Sequence, residues 1–358
     1  MKILFSGGGT LGPVTPLLAV IEELRLQDDA SAHQFLWIAT ERGVEIPLLR
    51  KAGVEVVTIP SGKFRRYVDF KNLSDLGNIV RGFFAARKII REFKPDVVVT
   101  AGGFVSVPVH YAARFLGVPS LVHQQDLRIG LANKLMSWVA RRVTVSVEAQ
   151  RAEFSKLKTV YTGNPVRLSV LAGSRERAIE LFRLNSDLAT IFVFGGGTGS
   201  TNINRIIEQI ARESSGQFQI IHLTGAQRTQ SVVHDVPTYH PYPFFTGEMA
   251  HAYAAADIVV ARAGFNTITE VAAWGKPSIL IPIFGSHQTE NALWAGERGA
   301  TFVQDELALT PHDLLQELRD ILNNAERYES MSVAASELFP VGARERLATE
   351  ILAVGSGK

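Results

Sequence analysis

ADIVVARAGFNTITEVAAWGKPSILIPIFGSHQTEN, residues 256–291, passes from a short apolar run (258–260) into a loop holding Arg262, Gly264 and Asn266. A helix then opens over Thr267 to Glu270, a second strand runs over 278–283, and a polar loop with His287, Gln288 and Asn291 closes the segment. Strand, loop, helix and strand in that order make a parallel unit. A loop ending at a helix N-terminus presents backbone N–H groups and the positive end of the helix dipole, which suits a diphosphate. Glu270, one turn into the helix, is placed to accept hydrogen bonds from a ribose diol. The plainer alternative is that Thr267 caps the helix and Glu270 complements its dipole.

Outward from this segment the same alternation continues in both directions. Strands are expected at 2–5, 34–39, 54–59, 96–100, 120–123 and 142–146, and again at 190–194, 218–224 and 238–242. Helical stretches separate them, the pattern of a mainly parallel sheet covered on both faces. Each half opens alike: KILFSGGGTLG (2–12) and IFVFGGGTGS (191–200) are each an apolar strand entering a glycine-rich turn. Two such halves predict two Rossmann-like domains facing each other across a cleft, with ligand at the carboxyl ends of the strands. TGNPVRL (162–168) carries the Gly-Asn-Pro punctuation of a linker, giving domains 1–164 and 165–339. The tail 340–358, with Leu347, Ile351 and Leu352 at helical spacing, is expected to cross back to the first domain.

At 358 residues, 46% hydrophobic and 20% charged, the chain can bury two cores. It has no cysteine, which removes disulfides, zinc–thiolate sites and thiol nucleophiles. MKILFSGGG is too short for a signal-peptide core, and no run of about 18 apolar residues could span a bilayer. The net charge of +2 is unevenly spread: residues 63–94 hold nine basic and three acidic side chains, +6, which leaves −4 elsewhere.

Gly7, Gly9 and Gly12 satisfy GxGxxG after a strand, and Glu41 ends the next one, as in an NAD-binding fold. Pro13 and the Thr15-Pro16 pair are an uncommon way to open such a helix, and the second glycine turn with the 262–270 loop puts a nucleotide site in the other half. A tight turn without ligand is the third reading.

Over nearly its full length the chain resembles the GT-B glycosyltransferases of family 28. The resemblance rests on GGGTLGPVTPLLAV (7–20), KPDVVVTAGGFVSVP (94–108), GVPSLVHQQD (117–126), TGNPVR (162–167), GGGTGSTNIN (195–204), HLTG (222–225), FTGEMAHAYAAADIVVARAGFNTITE (245–270) and HQTENA (287–292). Its closest branch, the resemblance implies, moves N-acetylglucosamine from UDP-N-acetylglucosamine to lipid I, an undecaprenyl-diphosphate-linked N-acetylmuramoyl peptide, with inversion, forming lipid II for peptidoglycan. It also implies a donor site in which Arg167 and the backbone at Phe245 and Thr246 meet the uracil, and Glu270 meets the ribose. Phe265, Asn266, Thr267, Ile268 and Thr269 with Gly196, Gly197, Thr198 and Gly199 would hold the diphosphate, and Gln288 would read sugar hydroxyls. Thr10, Leu11 and Gly12 complete the implied donor set. Gly8, Gly9, Pro13, Gly102, Gly103, Ser106 and Gln124 form the implied acceptor set.

Main-chain N–H dipoles aimed at the leaving UDP can replace a metal, and no Asp-x-Asp pair stands in a suitable loop, so no metal and no cofactor beyond the donor are expected. Three positions depart from the family pattern. GGTGGH becomes Gly8 to Pro13 without its histidine, HEQN becomes His123, Gln124, Gln125, Asp126, and the serine of the second glycine turn is Gly197, with Thr198 beside it. An inverting transfer needs a base for the acceptor hydroxyl proton, and Asp126 is the candidate; a cap on a helix starting near Leu127 is its structural alternative.

A lipid-linked acceptor implies contact with the cytoplasmic face of an anionic membrane, held peripherally. Lys63, Phe64, Arg65, Arg66 and Tyr67 form a basic and aromatic loop, and Leu76, Ile79, Val80, Phe83 and Phe84 follow at helical spacing. A core-facing helix with a solvated basic face is the alternative, and nucleic acid is not expected because the aromatics are not interleaved through a strongly basic domain. Three other functions stay open at this point: a family 28 transferase with another UDP-sugar or glycolipid acceptor, a UDP-sugar epimerase, and a catalytically silent binding homologue.

Overall fold

A computed structural model describes residues 1–27, 32–41, 43–62, 71–196, 199–214, 216–225 and 235–357, with the backbone alone for 71–76. The chain divides into two compact units, Met1–Arg167 with Pro340–Lys358, and Leu168–Phe339.

The first unit holds a seven-stranded, fully parallel sheet in the order β3-β2-β1-β4-β5-β6-β7. Its strands are β1 (Lys2–Ser6), β2 (Gln34–Thr40), β3 (Glu55–Ile59), β4 (Val97–Thr100), β5 (Ser120–Gln124), β6 (Arg142–Val145) and β7 (Thr159–Tyr161). Strands β4 and β5 are buried along their whole length, as expected where helices cover both faces of a parallel sheet. Successive residues alternate between two cores. Ile3, Phe5, Val97 and Val99 pack with Leu17 and Leu24 of helix Thr15–Gln27 and with Leu347 and Ile351 of the C-terminal helix Ala343–Gly355. Leu4 and Val98 face Val109 of helix Ser106–Phe115 and Ile90 of helix Lys71–Phe93.

Gly163, at φ +78°, lets Pro340 and Ala343 approach closely, and the Arg346 guanidinium donates to the Thr162 carbonyl at 3.0 Å. These contacts seat the returning C-terminal segment in the first unit.

The second unit carries β8 (Thr190–Phe194), β9 (Gln219–Leu223), β10 (Tyr239–Tyr242), β11 (Ile258–Ala261), β12 (Ser278–Leu280) and β13 (Phe302–Val303). They form a parallel sheet in the order β10-β9-β8-β11-β12-β13. Ile203, Ile206, Ile207 and Ile210 of helix Thr201–Glu213 make an apolar stripe against Ile191, Val193 and Val260. The opposite face is aromatic, with Phe192 and Phe194 edge-on to Tyr253 at 5.3 and 6.0 Å.

Every strand expected from the sequence is present, and two were missed. Strands β7 and β13, of three and two residues, are edge strands too short to show a period. The strand expected over 278–283 stops at Leu280, although Ile281 still donates its N–H to Ala261 at 2.9 Å; Pro282 has no N–H to continue the ladder.

Candidate active site

In the second unit the strand order reverses between β8 and β11, and the crevice that this opens is the usual ligand site of a doubly wound sheet. The turn after β8 is closed by Gly199 N–H on the Gly196 carbonyl at 3.0 Å. Gly199 has φ +71°, and a Cβ there would stand 2.3 Å from the Thr224 carbonyl oxygen, so only glycine fits. Ser200 caps helix Thr201–Glu213 by accepting the Ile203 N–H. Gly197 and Thr198 lie outside the described residues.

After β11, the guanidinium of Arg262, 8% exposed, donates to the carbonyls of Ile281 and Pro282 at 3.0 and 3.3 Å and to Ser200 Oγ at 2.7 Å. It also pairs with the Glu306 carboxylate, which accepts the Phe284 N–H at 3.2 Å. One buried cation therefore ties the ends of β8, β11 and β12 to the segment beyond. The Arg262 hydrogen bond, opposed by burial and helped by the Phe284 N–H, holds the Glu306 carboxyl below the usual range.

Helix Phe265–Ala273 starts two residues earlier than the sequence suggested, because Gly264 takes the extended N-cap position and brings no side chain to the helix start. Thr267 is therefore inside the helix and not its cap. Residues Phe265 to Thr269 make its first turn, in which the Ile268 N–H already donates to the Gly264 carbonyl at 3.1 Å and the main-chain N–H groups ahead of it point out of the helix start. Glu270 accepts a hydrogen bond from the buried Tyr253 hydroxyl at 3.0 Å. Phe245 is buried and stacks on Phe182 at 5.3 Å, while the N–H groups of Thr246 and Gly247 donate to Glu248 at 2.7 and 2.8 Å.

The polar loop expected around His287 is instead the start of helix Gln288–Gly296, with His287 as N-cap. Ser286 Oγ accepts the Gln288 N–H at 3.2 Å, and the following residues Ala292 and Leu293 favour helix. Gln288 Oε1 accepts the Ile283 N–H at 3.2 Å, and the buried Asn291 donates to the Ala263 carbonyl at 3.2 Å.

The first unit repeats this layout: its strand order reverses between β1 and β4. Gly7 is fixed by its N–H on the Ile38 carbonyl (3.2 Å) and by the Trp37 indole on its own carbonyl (3.0 Å). Gly102 and Gly103, at φ +123° and +95°, follow β4; a Cβ on Gly103 would lie 3.1 Å from the Gly8 carbonyl oxygen, so the two glycine turns touch. Ser106, fully buried, donates to the Gly102 carbonyl at 3.1 Å. Gln124, the last residue of β5, accepts from Asn133 at 2.7 Å and donates to the Asp126 carbonyl at 2.6 Å. Gln125 Nε2 sits 3.5 Å from Asp126 Oδ2 and 3.2 Å from where a Gly12 Cβ would be. Asp126 does not cap a helix at 127: the next helix begins at Leu131, after Gly130.

Across the chain, the patterns of the glycosyltransferase family 28 N-terminal and C-terminal domains match residues 3–145 and 190–347. The chain belongs to glycosyltransferase family 28. It is 36% identical over 355 residues to the UDP-N-acetylglucosamine–N-acetylmuramyl-(pentapeptide) pyrophosphoryl-undecaprenol N-acetylglucosamine transferase of Shouchella clausii, covering 98% of this chain and 99% of that one. The protein of the same name from Listeria monocytogenes is 33% identical, with 99% of each covered. Among solved structures, Acinetobacter baumannii MurG superposes with a TM-score of 0.74 at 28% identity, covering 98% and 99%. A UDP-N-acetylglucosamine 2-epimerase from Neisseria meningitidis, at 16% identity and TM-score 0.72, shares the fold.

In this family 28 glycosyltransferase the expected residues fall into two groups. Gly8, Gly9, Thr10, Leu11, Gly12, Pro13, Gly102, Gly103, Ser106, Gln124 and Asp126 cluster at the carboxyl ends of β1, β4 and β5 in the first unit. Gly196, Gly199, Phe245, Thr246, the 265–270 turn and Gln288 lie in the second. Arg167, expected with the donor residues, ends the first segment of the first unit, just before the second unit begins at Leu168. His123 does not stand in for the family's absent histidine: it is fully buried, bonded to Thr144 Oγ1 (2.9 Å) and Asn164 Oδ1 (3.2 Å), and burial lowers its pKa to about 4 against the Asn164 bond. Among the described residues no group of three or more His, Cys, Asp or Glu is placed to hold a metal.

Sequence reasoning missed Tyr253 and Glu306. Nothing in their local sequence marks them, because each acts on a segment distant along the chain. Of the expected membrane residues, 63–67 lie outside the described set, as does the Leu76 side chain. Phe83 packs on the first core, whereas Val80 (50%) and Phe84 (58%) face outward.

Proposed function

We propose that the chain transfers N-acetylglucosamine from UDP-N-acetylglucosamine to an undecaprenyl-diphosphate-linked N-acetylmuramoyl pentapeptide, inverting the anomeric centre. The observation that carries this reading is the second-unit crevice: a glycine turn and an uncapped helix N-terminus flank the carboxyl ends of β8 and β11, and Glu270 stands one turn further in. Main-chain N–H groups there meet the charge that grows on departing UDP, so we infer no metal requirement. Arg167, Phe245 and Thr246 are assigned to uracil, Gln288 to the transferred sugar, Thr10 to Gly12 to the donor, and Gly8, Gly9 and Pro13 with the turn after β4 to the acceptor. Asp126 takes the proton of the attacking acceptor hydroxyl.

Labelled UDP-N-acetylglucosamine offered with and without a lipid I analogue tests this, with products resolved by mass spectrometry. Product that needs the acceptor supports transfer; a changed UDP-sugar without acceptor would mean an epimerase. In the same assay Asp126→Asn should lose at least about a hundredfold in kcat with donor affinity kept. Full turnover by that variant would remove Asp126 from the mechanism.

For the acceptor's membrane we propose a peripheral mode on the cytoplasmic face. No helix of the described residues is long and apolar enough to cross a membrane. Phe84 and Phe115, 58% and 66% exposed, flank Phe83 with ring centroids 5.6 and 6.2 Å from it, and Arg87 lies over the Phe115 ring at 5.1 Å. Such a basic-edged aromatic patch suits anionic headgroups. Phe84→Ser with Phe115→Ser should reduce co-sedimentation with phosphatidylglycerol vesicles, and unchanged sedimentation would count against the patch.

A further inference from the structure

Glu45 is an acid with no exposed surface, and among the described residues no basic side chain pairs with it. Its Oε1 accepts the Thr40 N–H at 3.1 Å and the Thr40 hydroxyl at 2.9 Å, and its Oε2 accepts the Gly9 N–H at 3.2 Å. Although Glu45 is the N-cap of helix Ile46–Lys51, its carboxylate makes no bond to that helix. Two glycines make room for it. A Cβ on Gly8 would fall 2.1 Å from Oε1 and one on Gly43 1.9 Å from it, and neither glycine has the positive φ that would otherwise demand the residue. At the middle glycine of the first turn a side chain would meet the Glu45 carboxylate. Gly8 in turn backs on Gly103, so the carboxylate lies behind both glycine turns of the first unit.

We propose that Glu45 is a positioning residue for the acceptor: by holding the Gly9 N–H to the end of β2 it sets the shape that the first glycine turn presents. This rests on the assignment of that turn to the acceptor. Three donors converge on two oxygens, a demand that only an acceptor-only group meets. Glutamine offers one oxygen. If that oxygen serves Thr40, its NH2 faces the Gly9 N–H, and the turn loses its tether.

The test uses the full chain with UDP and a lipid I analogue. Glu45→Gln should raise the acceptor KM by about tenfold or more, leave the Kd for UDP within about twofold, and change kcat little. A merely structural role would lower activity in proportion to the folded fraction and leave both constants unmoved, and that result would overturn the inference. Should Glu45→Gln not fold, Thr40→Val removes one donor to the same oxygen and should raise the acceptor KM about threefold; an unmoved KM there also overturns it. Wild type that binds UDP but turns over no polyprenyl-diphosphate-linked acceptor would instead defeat the acceptor assignment, and this inference with it.

Discussion

Beside its glycine turn the second unit buries a cation, Arg262, while the first buries a carboxylate, Glu45. Arg262 stands where strand order reverses between β8 and β11, and Glu45 stands beyond β2, next to the turn that follows β1; both tie a glycine turn to a neighbouring strand end. The topology is shared, so the buried charge is what differentiates the crevices. A cation next to a helix N-terminus favours a diphosphate and supports the growing charge of a leaving group. A carboxylate disfavours a second anion close by and suits a partner that arrives as hydroxyls. Arg262 carries its own partner, Glu306, so the contrast rests on a paired cation in one crevice and a carboxylate held by neutral donors in the other.

The largest expected effect separates the two units by acid. His110 and His123 in the first unit and His222 in the second are fully buried, and burial lowers their pKa values to about 3, 4 and 3. Neither ring nitrogen of His110 has a hydrogen-bond partner among the described residues. Folded, these imidazoles stay neutral; unfolded, they take up a proton near pH 6.5. Their contribution is complete above pH 6.5 and is lost as pH falls from there towards 4 and 3, at up to about 1.4 kcal/mol per pH unit for each imidazole. Partial burial lowers His240 of the second unit in the same direction, but only the first unit holds two fully buried imidazoles, and it should open first. Limited proteolysis at pH 4.5 is expected to cut within 1–167 before 168–339, and His110→Leu should flatten the dependence of the urea midpoint on pH. Equal sensitivity of both units would break the contrast.

Next in size is Arg262→Met. It leaves Glu306 without its cation in a largely buried position, which should cost about 3–5 kcal/mol of stability by urea unfolding. Adding Glu306→Met should recover much of that loss. UDP affinity, measured by calorimetry, should stay low in the double variant, because the cation and the fixed ends of β8 and β11 are still missing. If the double variant binds UDP as wild type does, Arg262 serves folding alone.

The sequence made the frame legible because its signals are local and periodic. Apolar runs over residues 2–5 and 190–194 end in glycine turns, and Ile203, Ile206, Ile207 and Ile210 repeat at helical spacing. The segment 256–291 located the second crevice for the same reason. What it missed was non-local or short. Glu45 stands in no motif of the sequence, and its role appears only once β2 and the first turn fold around it. Gln288 and Asn291 looked like loop residues because HQTEN is polar, yet they sit on the buried side of a helix whose apolar residues come later. Phe83 and Phe84, adjacent in sequence and with rings in contact at 5.6 Å, divide between core and surface, which a count of aromatics could not reveal.

The smallest expected effect concerns Tyr253, whose hydroxyl donates to Glu270 at 3.0 Å from a fully buried ring. Its phenyl ring packs edge-on against Phe192 and Phe194, so Tyr253→Phe keeps the aromatic contacts and removes one oxygen. Glu270 is only half-buried, and water can take over the lost bond, so the cost falls short of that for a buried charge. What changes is the orientation of the carboxylate. UDP affinity should drop by about fivefold, with no more than a small shift in Tm. If Glu270 meets the ribose diol, the difference between wild type and variant should vanish with 2′,3′-dideoxy-UDP, which offers that carboxylate nothing to bind. A penalty that persists with the dideoxy nucleotide would place the effect of Tyr253 on the helix N-terminus, and the ribose assignment of Glu270 would fall.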